Sequence, residues 1–152
     1  MKIYIGSDHA GFECKEQLLN IYDLNDCGCY STNTVDYPDI AKVVCEKINN
    51  DLNNNIKSMG ILICGTGIGM SMAANKYKNI RCGLVYTEEC SILTRQHNDA
   101  NILALGARVT SIDNIKKIID LFIKTEFEGG RHLNRINKLK SCNFSQNNVI
   151  II

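Results

Sequence analysis

The chain has 152 residues, with 17 Lys plus Arg against 16 Asp plus Glu and a formal net charge of +1. That length suits one domain, and the charge balance argues against a nucleic-acid surface, which carries a basic excess. No apolar run approaches the roughly 18 residues of a membrane span, and the opening MKIYIGSDHAG turns polar after Ile5, too soon for a secretory leader. A cytoplasmic protein with no nucleic-acid or membrane partner is the expectation.

Taken in order, the segments alternate. Lys2–Ile5 is a short apolar run ending at Gly6, and Cys14, Leu18, Ile21 and Tyr22 then share one helical face. A weak strand is expected near Asp26–Tyr30. Asp36-Tyr37-Pro38-Asp39 turns into a helix with Ile40, Val44 and Ile48 at spacing four, and Asn49–Ile56 reads as an Asn-rich connection. Gly60–Cys64 is the strongest strand, followed at once by the loop Gly65-Thr66-Gly67-Ile68-Gly69 and a helix over Met70–Lys76. Cys82–Tyr86 is another strand, then a helix from Thr87 to His97, then a fifth strand at Ile102–Leu105. Ile115, Ile118, Ile119 and Phe122 mark an amphipathic helix, and Glu128-Gly129-Gly130 separates it from a last helix reaching about Lys140.

Short apolar strands alternating with helices predict βαβ units and a sheet covered on both faces. The fold class is therefore α/β, a three-layer α/β/α sandwich around a mainly parallel five-stranded Rossmann-like sheet. One domain over 1–140 and a C-terminal tail over 141–152 are expected. Ligands in such sheets bind outside the carboxyl ends of the strands, which selects the loops after Ile5, Cys64, Tyr86 and Leu105.

Eight cysteines stand at 14, 27, 29, 45, 64, 82, 90 and 142, with no CxxC pair. Cys27-Gly28-Cys29 has no matching pair elsewhere, so neither a structural zinc site nor any other metal is expected. Reduced thiols acting as small buried hydrophobes fit most of them. Cys64 differs by its place. It closes a strand and precedes a glycine loop whose backbone N–H groups stand at a helix start, a nest for a phosphate or an oxyanion. A thiol there feels the positive end of the helix, which favours the thiolate, a nucleophile or base.

Other chemistry collects at junctions. His9 follows the first strand, His97 precedes the fifth, and His132 opens the last helix. Arg131 and Arg135, four apart, project from one helical face as two forked donors, with Arg108 after the fifth strand as a third. The glycine loop lacks the Lys-Ser/Thr ending of a phosphate-binding Walker loop. It nearly fits G-x-G-x-x-G, with Glu88 and Glu89 near the ribose distance, but Gly69 falls one place early. A dinucleotide-binding oxidoreductase is therefore the alternative from the residues.

Gly6-Ser-Asp-His-Ala-Gly11, Asp36-Tyr-Pro38, Gly60–Gly69, Ala73-Ala-Asn-Lys76, Arg95-Gln-His-Asn98 and Glu128-Gly-Gly-Arg-His132 together resemble ribose-5-phosphate isomerase type B, in order from residue 1 to about 140. The related galactose-6-phosphate isomerase subunits share this superfamily. The resemblance implies interconversion of D-ribose 5-phosphate and D-ribulose 5-phosphate through an enediolate, in the non-oxidative pentose phosphate pathway, or the same chemistry on an allose or galactose 6-phosphate. It implies no cofactor, and a homodimer with active sites at the subunit interface. By residue, it implies Cys64 as the base, Thr66 with the amides of Gly65, Gly67, Ile68 and Gly69 as the enediolate cradle, and His97 as the ring-opening acid. Asp8, His9 and Asn98 match substrate contacts, Tyr37 flanks the site, and Arg108, Arg131 and Arg135 match the phosphate set. Some relatives carry a Glu after the glycine loop instead; Met70–Ala74 has no carboxylate, which favours Cys64.

Overall fold

The computed structural model describes residues 1–141, so Cys142 and the rest of the expected tail lie outside the described residues. Five strands, β1 (Lys2–Ser7), β2 (Asn25–Asp26), β3 (Ser58–Cys64), β4 (Cys82–Leu84) and β5 (Ile102–Gly106), form one sheet in the order β2-β1-β3-β5-β4. Every pairing is parallel, with Tyr4 opposite Gly60 and Leu62 opposite Ala104. Among the described residues six helices accompany the sheet: α1 (Phe12–Leu19), α2 (Tyr37–Asn53), α3 (Ile68–Ala74), α4 (Glu88–Asn98), α5 (Ile112–Lys124) and α6 (Arg131–Ser141). The expected three-layer sandwich is the fold.

Strand residues alternate between two cores, as the pleat requires. Tyr4, Leu62, Cys64, Ile102 and Ala104 face α2 and α3, which contribute Val44, Cys45, Ile48, Met70 and Ala74. Ile5, Ile61, Ile63, Leu103 and Leu105 face α1 and α5, which contribute Leu18, Ile115, Ile118 and Phe122. Parallel strands covered on both faces read as unbroken apolar runs, which is why Gly60–Cys64 is so visible in the sequence.

The sequence reading needs correction at residues 49–53. They are not a loop but the last turns of α2. Asn costs a helix well under about 1 kcal/mol per residue relative to Ala, and a tertiary anchor outweighs that cost. The anchor is Asp51, buried and accepting hydrogen bonds from Lys2 Nζ at 2.9 Å and Tyr4 Oη at 2.8 Å. Lys2 and Tyr4 hold the Asp51 carboxyl below its ordinary value of 3.8. A depressed carboxylate adds stability that is present above that value and lost as pH falls through the lower folded value. Asp51→Asn is therefore expected to lower Tm at neutral pH and to flatten the acid end of a Tm-against-pH series below about pH 4. An unchanged acid limb counts against the anchor.

Candidate active site

The chain runs from β1 outward to β2 on one side, and from β3 toward β5 and β4 on the other. The loop after β1 descends to α1 on one face of the sheet, and the loop after β3 descends to α3 on the opposite face. A crevice therefore opens between the carboxyl ends of β1 and β3, where a doubly wound sheet places its ligand.

Cys64 closes β3 at the floor of this crevice, 4 % exposed. Its Sγ accepts the Gly67 N–H at 3.0 Å, the kind of donor a sulfur anion uses. Gly67 has φ +81, and a Cβ there would lie 2.6 Å from Leu84 and 2.9 Å from the Leu105 carbonyl carbon, so only glycine turns the loop back over the sulfur. Thr66 Oγ1 accepts the Ile68 amide at 3.3 Å, and its own carbonyl accepts the Tyr86 hydroxyl at 2.8 Å. Tyr37, at the start of α2, lays its ring on Gly69; a Cβ on that glycine would meet the ring at 2.9 Å.

From the β1 side, Asp8 Oδ1 accepts the amides of Ala10 at 2.9 Å and Gly11 at 3.1 Å, fixing the turn that carries His9. His9 Nδ1 is buried with no hydrogen-bond partner among the described residues. A buried polar atom left bare is costly unless a ligand or water satisfies it. From the β5 side, Arg108 donates its backbone N–H to Gly65 O at 2.9 Å and lays its side chain over Gly65. One pole thus gathers Cys64, Thr66, Gly65, Gly67, Ile68, Gly69, Asp8, His9, Tyr37 and Arg108.

His97, Asn98, Arg131 and Arg135 are elsewhere. Thr87 caps α4 just past the end of β4, and the helix then returns alongside the sheet for 11 residues, about 15 Å. Its last residues reach the opposite pole, where Arg81, just before β4, donates to the carbonyls of Asn98 and Asp99 at 3.1 and 2.8 Å. Glu128 N–H binds Gln96 O there at 3.1 Å. The left-handed residues Gly129 (φ 70) and Gly130 (φ 52) then aim the chain into α6. Arg131 and Arg135 stand exposed on α6 beside buried His132. Within one chain Arg108 is separated from the other two arginines, and Cys64 from His97.

Two residues escaped the sequence reading. Tyr86 reads in the sequence as the last residue of a strand, whereas β4 ends at Leu84 and the Tyr86 hydroxyl is left to bind the Thr66 carbonyl. Glu128 looked like part of a helix break, yet its carboxylate faces both His97 and His132.

An open parallel sheet, a thiol beneath an amide loop and a basic far pole define an α/β enzyme for small anionic substrates. Residues 3–139 match the Ribose/Galactose Isomerase family. The chain belongs to that family and is a sugar-phosphate isomerase. It is 36% identical to ribose-5-phosphate isomerase B of Escherichia coli, over 96% of this chain and 99% of that one. It superposes on ribose-5-phosphate isomerase B of Clostridium thermocellum with a TM-score of 0.86 at 41% identity, covering 92% and 95% of the two chains. The Mycoplasma genitalium ribose-5-phosphate isomerase B, solved with bound ribulose-5-phosphate, matches with a TM-score of 0.81 at 41% identity over 91% and 93%. Membership of an isomerase family leaves the oxidoreductase alternative without support. Among the described residues no helix is long and apolar enough to cross a membrane.

Proposed function

We propose that this isomerase interconverts D-ribose 5-phosphate and D-ribulose 5-phosphate, and that its site is completed by a second copy of the chain. The observation that carries the reading is Cys64 Sγ, held 3.0 Å from the Gly67 amide at the mouth of the loop. The Cys64 thiolate takes the C2 proton of the open-chain aldose. The electron pair moves to O1, and the amides of Gly65–Gly69 with Thr66 hold the enediolate; such preorganised donors are commonly the largest catalytic term. The proton on O2 passes to O1, the thiol returns its proton to C1, and the ketose results. Proton transfer between adjacent carbons balances with no external oxidant or reductant.

Ring opening and phosphate binding fall to the far pole. His97 of a second copy protonates the ring oxygen, with Asn98 beside it, while Arg131 and Arg135 clamp the phosphate. Asp8, His9, Tyr37 and Arg108 line the sugar from the Cys64 side. The ligand in the Mycoplasma genitalium relative supports the pentose phosphate. The reaction belongs to the non-oxidative pentose phosphate pathway of the cytoplasm.

A coupled assay with ribose 5-phosphate, allose 6-phosphate and galactose 6-phosphate side by side tests the substrate. The highest kcat/KM is expected with ribose 5-phosphate, and preference for a hexose phosphate overturns that assignment. In the same assay Arg131→Ala and Arg135→Ala should each raise KM about ten- to a hundredfold, the usual cost of a charge-assisted hydrogen bond. Lysine at either position should recover only part, because a point charge lacks the fork. Parental kcat/KM in both alanine variants removes the clamp.

A further inference from the structure

His97 and His132 stack face to face, with ring centroids 4.3 Å apart and planes 8° from parallel. Both Nε2 atoms face one oxygen of Glu128, at 4.0 Å for His97 and 3.7 Å for His132. The backbone enforces this. The Glu128 amide is pinned to Gln96 O on the last turn of α4, and the two left-handed glycines place His132 one helical turn later. His132 is buried, whereas the His97 side chain keeps 36% of its surface open.

Three ligand-type side chains this close suggest a cation, but the ring geometry speaks against one. The lone pair of an imidazole nitrogen lies in its ring plane, and two stacked, nearly parallel rings cannot both direct that pair at one ion. Ring placement fits better, with His132 as the neutral partner. Burial, then the positive charge of His97, Arg131 and Arg135, pushes the His132 proton affinity down, with Glu128 opposing. Arg131 Nε donates to His132 Nε2 at 3.5 Å, which requires that nitrogen to be unprotonated. On α4 itself, Arg95 is turned to Asp99 and the Ala100 carbonyl, so neither of those charges is committed to the stack.

We propose that Glu128 and His132 are positioning residues for His97: the neutral ring of His132 fixes the plane of the His97 imidazole, and Glu128, its amide pinned to the last turn of α4 and its carboxylate facing both Nε2 atoms, holds the two rings in register. The inference rests on the ring-opening role of His97 proposed above. It assigns work to two residues which that reading leaves idle.

Two readouts on the whole enzyme separate positioning from general damage. Turnover of ribose 5-phosphate requires the furanose ring to open. Ribulose 5-phosphate has its C5 oxygen blocked by phosphate and is an open chain, so deuterium entry at its C1 from D2O needs only the base. Glu128→Gln is expected to lower turnover about tenfold, a modest share of a general acid's effect, while C1 exchange stays within about twofold. His132→Ala should show the same split, and His132→Phe, which keeps a ring in the stack, should recover most of the loss. Should His132→Ala fail to fold, the half-exposed Glu128→Gln and the phenylalanine variant still decide. Turnover and exchange falling in equal proportion, or neither moving, overturns the positioning roles. A parent enzyme that neither turns over ribose 5-phosphate nor exchanges ribulose 5-phosphate overturns the substrate reading instead.

Discussion

Replacing Cys64 with Ala is expected to lower kcat by about 10²–10⁴, the range for a lost positioned base, while KM changes comparatively little. The expectation follows from location. The sulfur ends a buried strand, receives the Gly67 amide at 3.0 Å, and lies where the loops after β1, β3 and β5 converge. Deuterium exchange at sugar carbon should fall in step, since the same group removes that proton. Other thiols serve as an internal control. Burial pushes Cys14 up to about 11 and Cys45 up to about 12, and raises Cys27 and Cys82 as well, so these should resist alkylation at neutral pH. Cys90 is exposed near the start of α4 and does not belong with the silent set. Iodoacetamide inactivation is therefore best followed in a Cys90→Ser background, with sugar phosphate protecting. Near-normal turnover in Cys64→Ala would falsify the assignment. Attention would pass to Asp8, whose Oδ1 is already engaged by two amides, and to exposed Glu13 on α1.

How far the chain could be read follows from where its signals are local. Strands buried on both faces announce themselves as apolar runs, so β3 and β5 stand out, while the two-residue β2 has almost no pattern to detect. Helix α5 declares its face through Ile115, Ile118, Ile119 and Phe122. Helix α2 hides its end, because Asp51 is held by Lys2 and Tyr4, 49 and 47 residues away, and such a pairing leaves no trace in local composition. The Cys64 pole is legible because glycine loops and strand ends sit side by side in sequence. The Glu128 cluster is not, because stacking of residues 97 and 132 depends on two left-handed glycines placing α6 against α4. Nor does spacing alone separate Arg108 from Arg131 and Arg135. That division appears only once α4 is seen to carry the chain back to the other end of the sheet.

That division carries the second large expectation. A chain that keeps its base at one pole and its acid and phosphate clamp at the other cannot assemble the proposed site alone; a two-fold pair of chains can, each lending its far pole to the other's Cys64. Ile68, Met72, Tyr86 and Val109 leave large apolar surface exposed around the Cys64 pole, 43, 62, 41 and 58 % respectively, available to a partner. The interface should bury more than about 1,000 Å² in total. Cys64→Ala and His97→Ala homodimers should each be nearly inactive. Co-expressed or refolded together, they should regain activity toward about a quarter of the parent's, because half the dimers are mixed and one of the two sites in each is intact. Tandem affinity tags on the two chains would isolate the mixed dimer, in which about half the sites should work. If the mixture stays as inactive as its parts, or a fully active monomer sediments at assay concentration, the shared site is wrong. Cys64 would then need an acid from its own pole, and His9, whose buried Nδ1 has no partner among the described residues, is the group placed to supply one.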